Sequence, residues 1–393
     1  GSMGPTIAIN PNIARINMGE RDKLNAAMAG RSDLADLASG NPNFEVPPFI
    51  RKRLQDHLET SAHMPYTDYY GVLELRERIA EHLKRHCGMT IDPASELMVT
   101  HGVQQGLFVV LKTILRAGDE VLLPSPYYGH YAIDTIACGG RPVLVRLDET
   151  KGYMPDLVQF EKGITPKTRA ILFCNPNNPL GVVWPGEALE QLAHLARKHD
   201  LLVLVDEVYR DFIRPEPPIS LAALPGMAER TFTFNGFSKA YVMMGLRMGY
   251  VAAPAEVMPH LKQLQKCVTL YPSMLGEIAA LAALDCPREQ LNPIHDEIQN
   301  LGELLYQAVS SLPGIRCVRP PGGFYVFPNI TSLGKSSVDL SIRLIEEAGV
   351  ACLPGVEFGP DGEGHLRLSV CAGREQVEKG VRRLTQFVKD NHP

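Results

Sequence analysis

Leu201-Leu202-Val203-Leu204-Val205-Asp206-Glu207-Val208-Tyr209 runs an unbroken apolar stretch straight into a carboxylate. A stretch this short, with no polar residue alternating in it, reads as a strand covered on both faces. An acid at its end is desolvated unless a cation meets it or it caps a helix. Related runs stand at Leu97–Thr100, Glu120–Leu123, Pro142–Leu147, Ala170–Cys174, Thr231–Asn235 and Met248–Ala253. Amphipathic stretches separate several of them. Val103–Arg116 sets Leu107, Val110, Leu111 and Ile114 on one helical face, and Pro185–His199 does the same with Leu189, Leu192, Ala193 and Ala196. Strands alternating with helices in this way predict an α/β fold with a mainly parallel, helix-covered sheet.

Beyond residue 285 the pattern changes. A long helical segment, Pro287–Ser311, stops at Pro313-Gly314; an aromatic strand, Gly323–Pro328, and a helix, Ser337–Gly349, follow. Two short strands and a last amphipathic helix from Arg374 complete the chain. We therefore expect a large domain at 60–285. A smaller α+β domain is expected from 1–59 together with 286–393.

Composition narrows the function. A chain of 393 residues, 45% hydrophobic and 21% charged, can bury large cores and is not disordered. A net charge of −5 argues against nucleic acid or an anionic membrane as partner. No membrane span is expected, because the most apolar run, Gly106–Leu115, is broken by Lys112. Gly1-Ser2-Met3 reads as an expression scar with no signal peptide after it, so a cytoplasmic location is expected. The eight cysteines show no CxxC pair and no Cys/His cluster. They read as reduced core residues, and no metal site is expected.

Chemistry gathers just past the strand-like runs, the sheet edge where α/β proteins bind ligands. Asn235-Gly236-Phe237-Ser238-Lys239 follows one strand, and Arg247 comes eight residues after the lysine. A desolvated lysine can form a Schiff base with a carbonyl, and a nearby guanidinium suits a phosphate. Asp206 reads either as a helix N-cap or as the partner of a ring-nitrogen cation, with Tyr209 one helical turn on. Asn175-Pro176-Asn177-Asn178-Pro179-Leu180-Gly181 reads as a tight turn, or as a rigid mount for an amide. Thr100-His101-Gly102-Val103-Gln104-Gln105-Gly106 leads into a helix whose free N–H groups would cradle an anion. His101 itself reads as a structural loop residue. Pro126-Tyr127-Tyr128-Gly129-His130-Tyr131 offers a flat ring for stacking, or simple packing.

Together these motifs resemble the fold-type I, pyridoxal-phosphate-dependent aminotransferases of class I/II. The likeness runs from Gly40-Asn41-Pro42-Asn43-Phe44 to Leu366-Arg367-Leu368-Ser369. It implies a seven-stranded type of sheet in the large domain and pyridoxal 5'-phosphate as cofactor. By resemblance, Lys239 carries the cofactor and Asp206 pairs with its pyridinium nitrogen. Asn178 and Tyr209 bond the phenolic oxygen, and Tyr128 stacks on the ring. Gly102, Val103, Gln104, Ser238 and Arg247 hold the phosphate. Arg367 clamps the substrate α-carboxylate, helped by Gly40 and Asn178. Tyr66 reaches the phosphate of a neighbouring subunit, which implies a homodimer.

Some positions depart from the commonest family pattern. Gly236 stands where many relatives carry serine, Leu180 where threonine is usual, and Met244-Gly245-Leu246 precedes the arginine. Tyr271 replaces a small residue, Tyr69 and Tyr70 add aromatic bulk, and Lys266–Ser273 lacks the arginine of dicarboxylate-specific relatives. The expected reaction is amino transfer from a neutral, apolar or aromatic α-amino acid to a 2-oxo acid. The alternative keeps the cofactor but performs β/γ-elimination or replacement, cyclisation or C–C bond formation, for example on S-adenosylmethionine. A ligand-sensing domain of a transcription regulator is a third reading. It is disfavoured because the residues before Gly40, about forty of them, are not basic.

Overall fold

The computed structural model describes residues 4–17, 19–214, 217 and 219–392. The opening Gly1-Ser2-Met3, read above as a scar, lies outside them. The strands are β1 (Ala35–Asp36), β2 (Leu97–Thr100), β3 (Glu120–Ser125), β4 (Arg141–Arg146), β5 (Thr168–Cys174) and β6 (Leu202–Asp206). They continue with β7 (Thr231–Gly236), β8 (Gly249–Ala252), β9 (Tyr325–Val326), β10 (Val350–Ala351), β11 (Leu353–Pro354) and β12 (Leu366–Ser369).

Seven of them form one sheet in the order β2-β8-β7-β6-β5-β3-β4, in which β8 alone runs against the rest. The expected α/β class and mainly parallel sheet are both borne out. Successive side chains of a strand point to opposite faces. On one face Ile171, Phe173, Val203 and Val205 pack with Leu189, Leu192 and Ala196 of the helix Gly186–Lys198. On the other face Leu172, Cys174 and Leu204 pack with Leu107, Val110 and Leu111 of the helix Gly102–Ile114. Burial on both faces is why these strands carry no alternation of polar residues.

Register puts the chemistry at one edge. Cys174, Asp206 and Phe234 lie side by side at the carboxyl ends of β5, β6 and β7. Because β8 is reversed, its first residue, Gly249, arrives at the same edge, opposite both Gly236 and Thr100. A second layer closes over that edge. β11, β12 and β9 form an antiparallel sheet with Arg367 on its middle strand. β1 pairs in parallel with β10, and Ser369 donates its N–H to the Leu37 carbonyl at 2.8 Å. Residues 37–41 are thereby laid beside Arg367.

Three local expectations need correction. The aromatic strand shrinks to Tyr325–Val326, because Pro320, Pro321 and Pro328 around it have no N–H to give a ladder. The helix begun at Ser337 is α-helical only to Arg343 and widens into a π turn at Leu344–Ala348 before Gly349. No α-helix follows Asp206: a turn at Val208–Tyr209 leads into a single 3₁₀ turn, Arg210–Phe212. The eight cysteines are free, and six of them are buried, as small core residues are. Among the described residues no helix is long and apolar enough to cross a membrane.

Candidate active site

A cavity of about 720 Å³ opens at this sheet edge, lined by Gly40, Val103, Gln104, Tyr128, Asn178, Asp206, Tyr209, Ser238, Lys239, Arg247 and Arg367 among others. Its floor is Asp206. One carboxylate oxygen accepts the Tyr131 hydroxyl at 2.8 Å and the other accepts the Val208 N–H at 3.2 Å. The N-cap reading thus survives only as this local turn. Burial pushes the Asp206 carboxyl up to about 6; Lys239 opposes this through space, and among the described residues no basic side chain makes a salt bridge with it. A buried carboxylate in this condition favours a cationic ligand.

Lys239 enters from the loop after β7. Its Nζ donates to the Gly40 carbonyl at 2.6 Å and to Asn41 Oδ1 at 3.5 Å. Burial holds the amine below the usual lysine range. Asn178 Nδ2 donates to the Tyr209 hydroxyl at 3.4 Å, and that hydroxyl shares a 2.9 Å hydrogen bond with Tyr325. Arg367 donates to Asn178 Oδ1 at 3.0 Å and to the Ala38 carbonyl at 2.7 Å, while its guanidinium lies 4.2 Å above the Tyr325 ring. The Arg367 Nε is buried with no partner. Tyr128 meets Tyr131 edge-on at 5.4 Å, and burial pushes its phenol up to about 12.

The anion cradle depends on close backbone approach. Gly102 has φ +79°, and a Cβ there would lie 2.5 Å from the Arg247 guanidinium. A Cβ on Gly249 would lie 2.8 Å from Gly102 C and Val103 N, so only glycine lets β8 seat against the cradle. Gly236 is equally constrained, with Met248 O 2.7 Å from the Cβ position, so a serine has no room in this backbone. Gln104 turns its amide away from the cradle to donate to Asp134 Oδ2 at 2.5 Å, which leaves its backbone N–H for an anion. Burial pushes the Asp134 carboxyl up to about 7.

Tyr66 stands apart from the cavity. It is 72% exposed and stacks on Tyr271 at 4.5 Å, with Tyr69 against the same ring at 4.4 Å. Sequence reasoning did not single out Tyr131 or Tyr325. Tyr131 had a usable signal, lying one helical turn from Tyr128. Tyr325 had none, because its partner Tyr209 is 116 residues away.

The profile of aminotransferase class I and II matches residues 32–384. The chain belongs to this family. This aminotransferase is 35% identical over 387 residues to aromatic-amino-acid aminotransferase 2 of Thermococcus litoralis, covering 98% of this chain and 99% of that one. It is 34% identical over 387 residues to an aspartate aminotransferase of Pyrococcus abyssi, covering 98% and 99%. The solved aromatic aminotransferase of Pyrococcus horikoshii OT3 superposes with a TM-score of 0.88 at 35% identity, covering 93% of this chain and 99% of that one. The enzyme is a pyridoxal-phosphate-dependent transferase of amino groups between amino acids and 2-oxo acids. The cavity fits that cofactor: an unpaired buried carboxylate suits a ring cation, and the glycine-cleared cradle beside Arg247 suits a phosphate.

Proposed function

We propose that this aminotransferase takes the amino group of a neutral, apolar or aromatic α-amino acid and delivers it to a 2-oxo acid. The supporting observation is that Lys239, Asp206 and Arg367 line one cavity whose remaining wall includes Met28, Leu34, Leu107, Tyr128 and Tyr325. The aromatic-amino-acid specificity in the name of the Thermococcus relative points the same way.

Pyridoxal 5'-phosphate, joined to Lys239, would supply the electron sink that makes loss of a Cα proton feasible. Asp206 holds positive charge at the ring nitrogen, and Tyr131 keeps that carboxylate aimed. The phosphate falls to Val103, Gln104, Ser238, Arg247 and the Gly102 turn, and Tyr128 covers the ring face. Asn178 and Tyr209 would donate to the phenolic oxygen. Arg367 would grip the α-carboxylate in two-pronged fashion and so orient the substrate at Cα. Lys239 Nζ would serve as the base and acid that moves the Cα proton, a role worth roughly 10²–10⁴-fold. Burial lowers the basicity of this amine, which eases its deprotonation.

The organisation follows the same reading. Residues 60–285 form the cofactor domain, and 1–59 with 286–393 form the small domain; the β1–β10 pairing supports joining the two ends of the chain. The enzyme works in the cytoplasm as a homodimer, each Tyr66 serving the partner's phosphate. A single-turnover panel tests the reaction: the purified enzyme is mixed with individual amino acids and conversion of the cofactor to its aminated form is followed by absorbance. Phenylalanine, tyrosine or leucine should drive it, and Lys239→Ala should abolish it. Failure of every α-amino acid to aminate the cofactor refutes the proposal.

A further inference from the structure

The loop that carries Lys239 is held by few bonds. Met243 N–H reaches Ser238 O at 3.0 Å and Val242 N–H reaches Lys239 O at 3.3 Å, with Val242 at φ +58°. A β-branched residue in the left-handed region is strained and persists only where its surroundings hold it. The carbonyl of Ala240, directly after the lysine, has no part in these bonds. Among the described residues no backbone N–H reaches it. Instead it meets the Nε2 of His295 at 2.8 Å.

His295 sits on the helix Arg288–Ser310 and is 1% exposed. A carbonyl only accepts, so Nε2 carries the proton; Nδ1 is buried with no partner. Burial also lowers the basicity of the ring, which keeps it neutral. The imidazole heads a column of rings. It meets Phe212 edge-on at 5.0 Å, Phe212 meets Phe324 at 5.0 Å, and Phe324 meets Tyr209 at 5.0 Å. Phe212, Phe324 and Tyr209 are all buried. A phenylalanine at 295 would continue this apolar column without an orphaned nitrogen. What the imidazole adds is the one bond to Ala240.

We infer that His295 is a positioning residue for Lys239, and that the column His295–Phe212–Phe324 holds the lysine loop and Tyr209 in a common register on two sides of the cavity. The inference rests on the reading of Lys239 as the cofactor-bearing lysine. Without the His295 bond, the Ala240–Tyr241 peptide, whose carbonyl is the one held, must rotate to find another donor or remain buried unsatisfied. That rotation shifts the Cα of Ala240, which is joined to Lys239 through one peptide, and the ε-amine at the end of four methylenes moves with it. A displacement near 1 Å at a reacting group can cost a hundredfold in rate.

The test compares His295→Phe, which keeps the ring column, with His295→Gln, which can restore an N–H donor. Two quantities are read on the holoenzyme: the pH midpoint of the absorbance band of the Lys239-bound cofactor, and kcat and KM for one amino acid. In His295→Phe the midpoint should move by about half a pH unit and kcat should fall roughly tenfold with KM unchanged. His295→Gln should recover most of both. Should the phenylalanine variant not fold, His295→Asn, whose shorter amide stops short of Ala240, takes its place in the comparison. The inference is overturned if the ring-only variant matches wild type, or if the glutamine variant is no better than it. A wild-type enzyme with no such band overturns the assignment of Lys239, and the role of His295 with it.

Discussion

Asp206→Asn should separate what the site costs the fold from what it gives the reaction. Burial raises the Asp206 carboxyl from 3.8 to about 6 in the cofactor-free chain. At 1.36 kcal/mol per pKa unit, the ionised carboxylate weakens that chain by about 3 kcal/mol at neutral pH. The native state binds the proton more tightly than the unfolded one. Stability is therefore fully present below pH 3.8 and is lost as pH rises through about 6. An asparagine keeps both polar contacts, since its oxygen can accept the Val208 N–H and the Tyr131 hydroxyl can turn to accept from the amide. The charge is removed. Denaturant unfolding of the cofactor-free proteins between pH 4 and 8 should show similar stability at pH 4, with the variant gaining about 2–3 kcal/mol by pH 7.5. With cofactor bound the order reverses in function: turnover should fall on the order of a hundredfold or more, because a buried cation loses its counter-charge. A variant less stable than wild type at pH 7.5, or a stability difference that does not change with pH, would refute the reasoning.

Other perturbations reach other parts of the site. Arg367→Gln removes the grip on the α-carboxylate and should raise KM for amino acids roughly 10–100-fold while cofactor affinity, read by absorbance titration, changes little. The opposite pattern would reassign the arginine to the cofactor. Gly249→Ala places a methyl carbon 2.8 Å from Gly102 C and Val103 N, so the cradle must shift. Phosphate-dependent cofactor binding should weaken about tenfold, with unfolding easier by roughly 1–3 kcal/mol, as calorimetry would record. Tyr66→Phe should lower cofactor affinity severalfold although Tyr66 lies outside its own chain's cavity, and sedimentation should report a dimer. Unchanged affinity would remove Tyr66 from the partner's site.

The strand and helix order, the parallel sheet and its working edge were legible in the sequence, because burial on both faces writes an unbroken apolar run such as Leu201–Val205. The same local grammar marked Asp206 directly after such a run, and Lys239 and Asn178 in the loops that follow two others. Only the tertiary structure could decide which remote groups meet there. The reversed direction of β8 brings Gly249 against Gly102 and Val103. Tyr325 bonds Tyr209, and His295 reaches back 55 residues to Ala240. Periodicity is a property of neighbouring residues and reports which face of an element is buried. Which element packs on that face depends on strand order and chain reversal, and no short stretch of sequence encodes those.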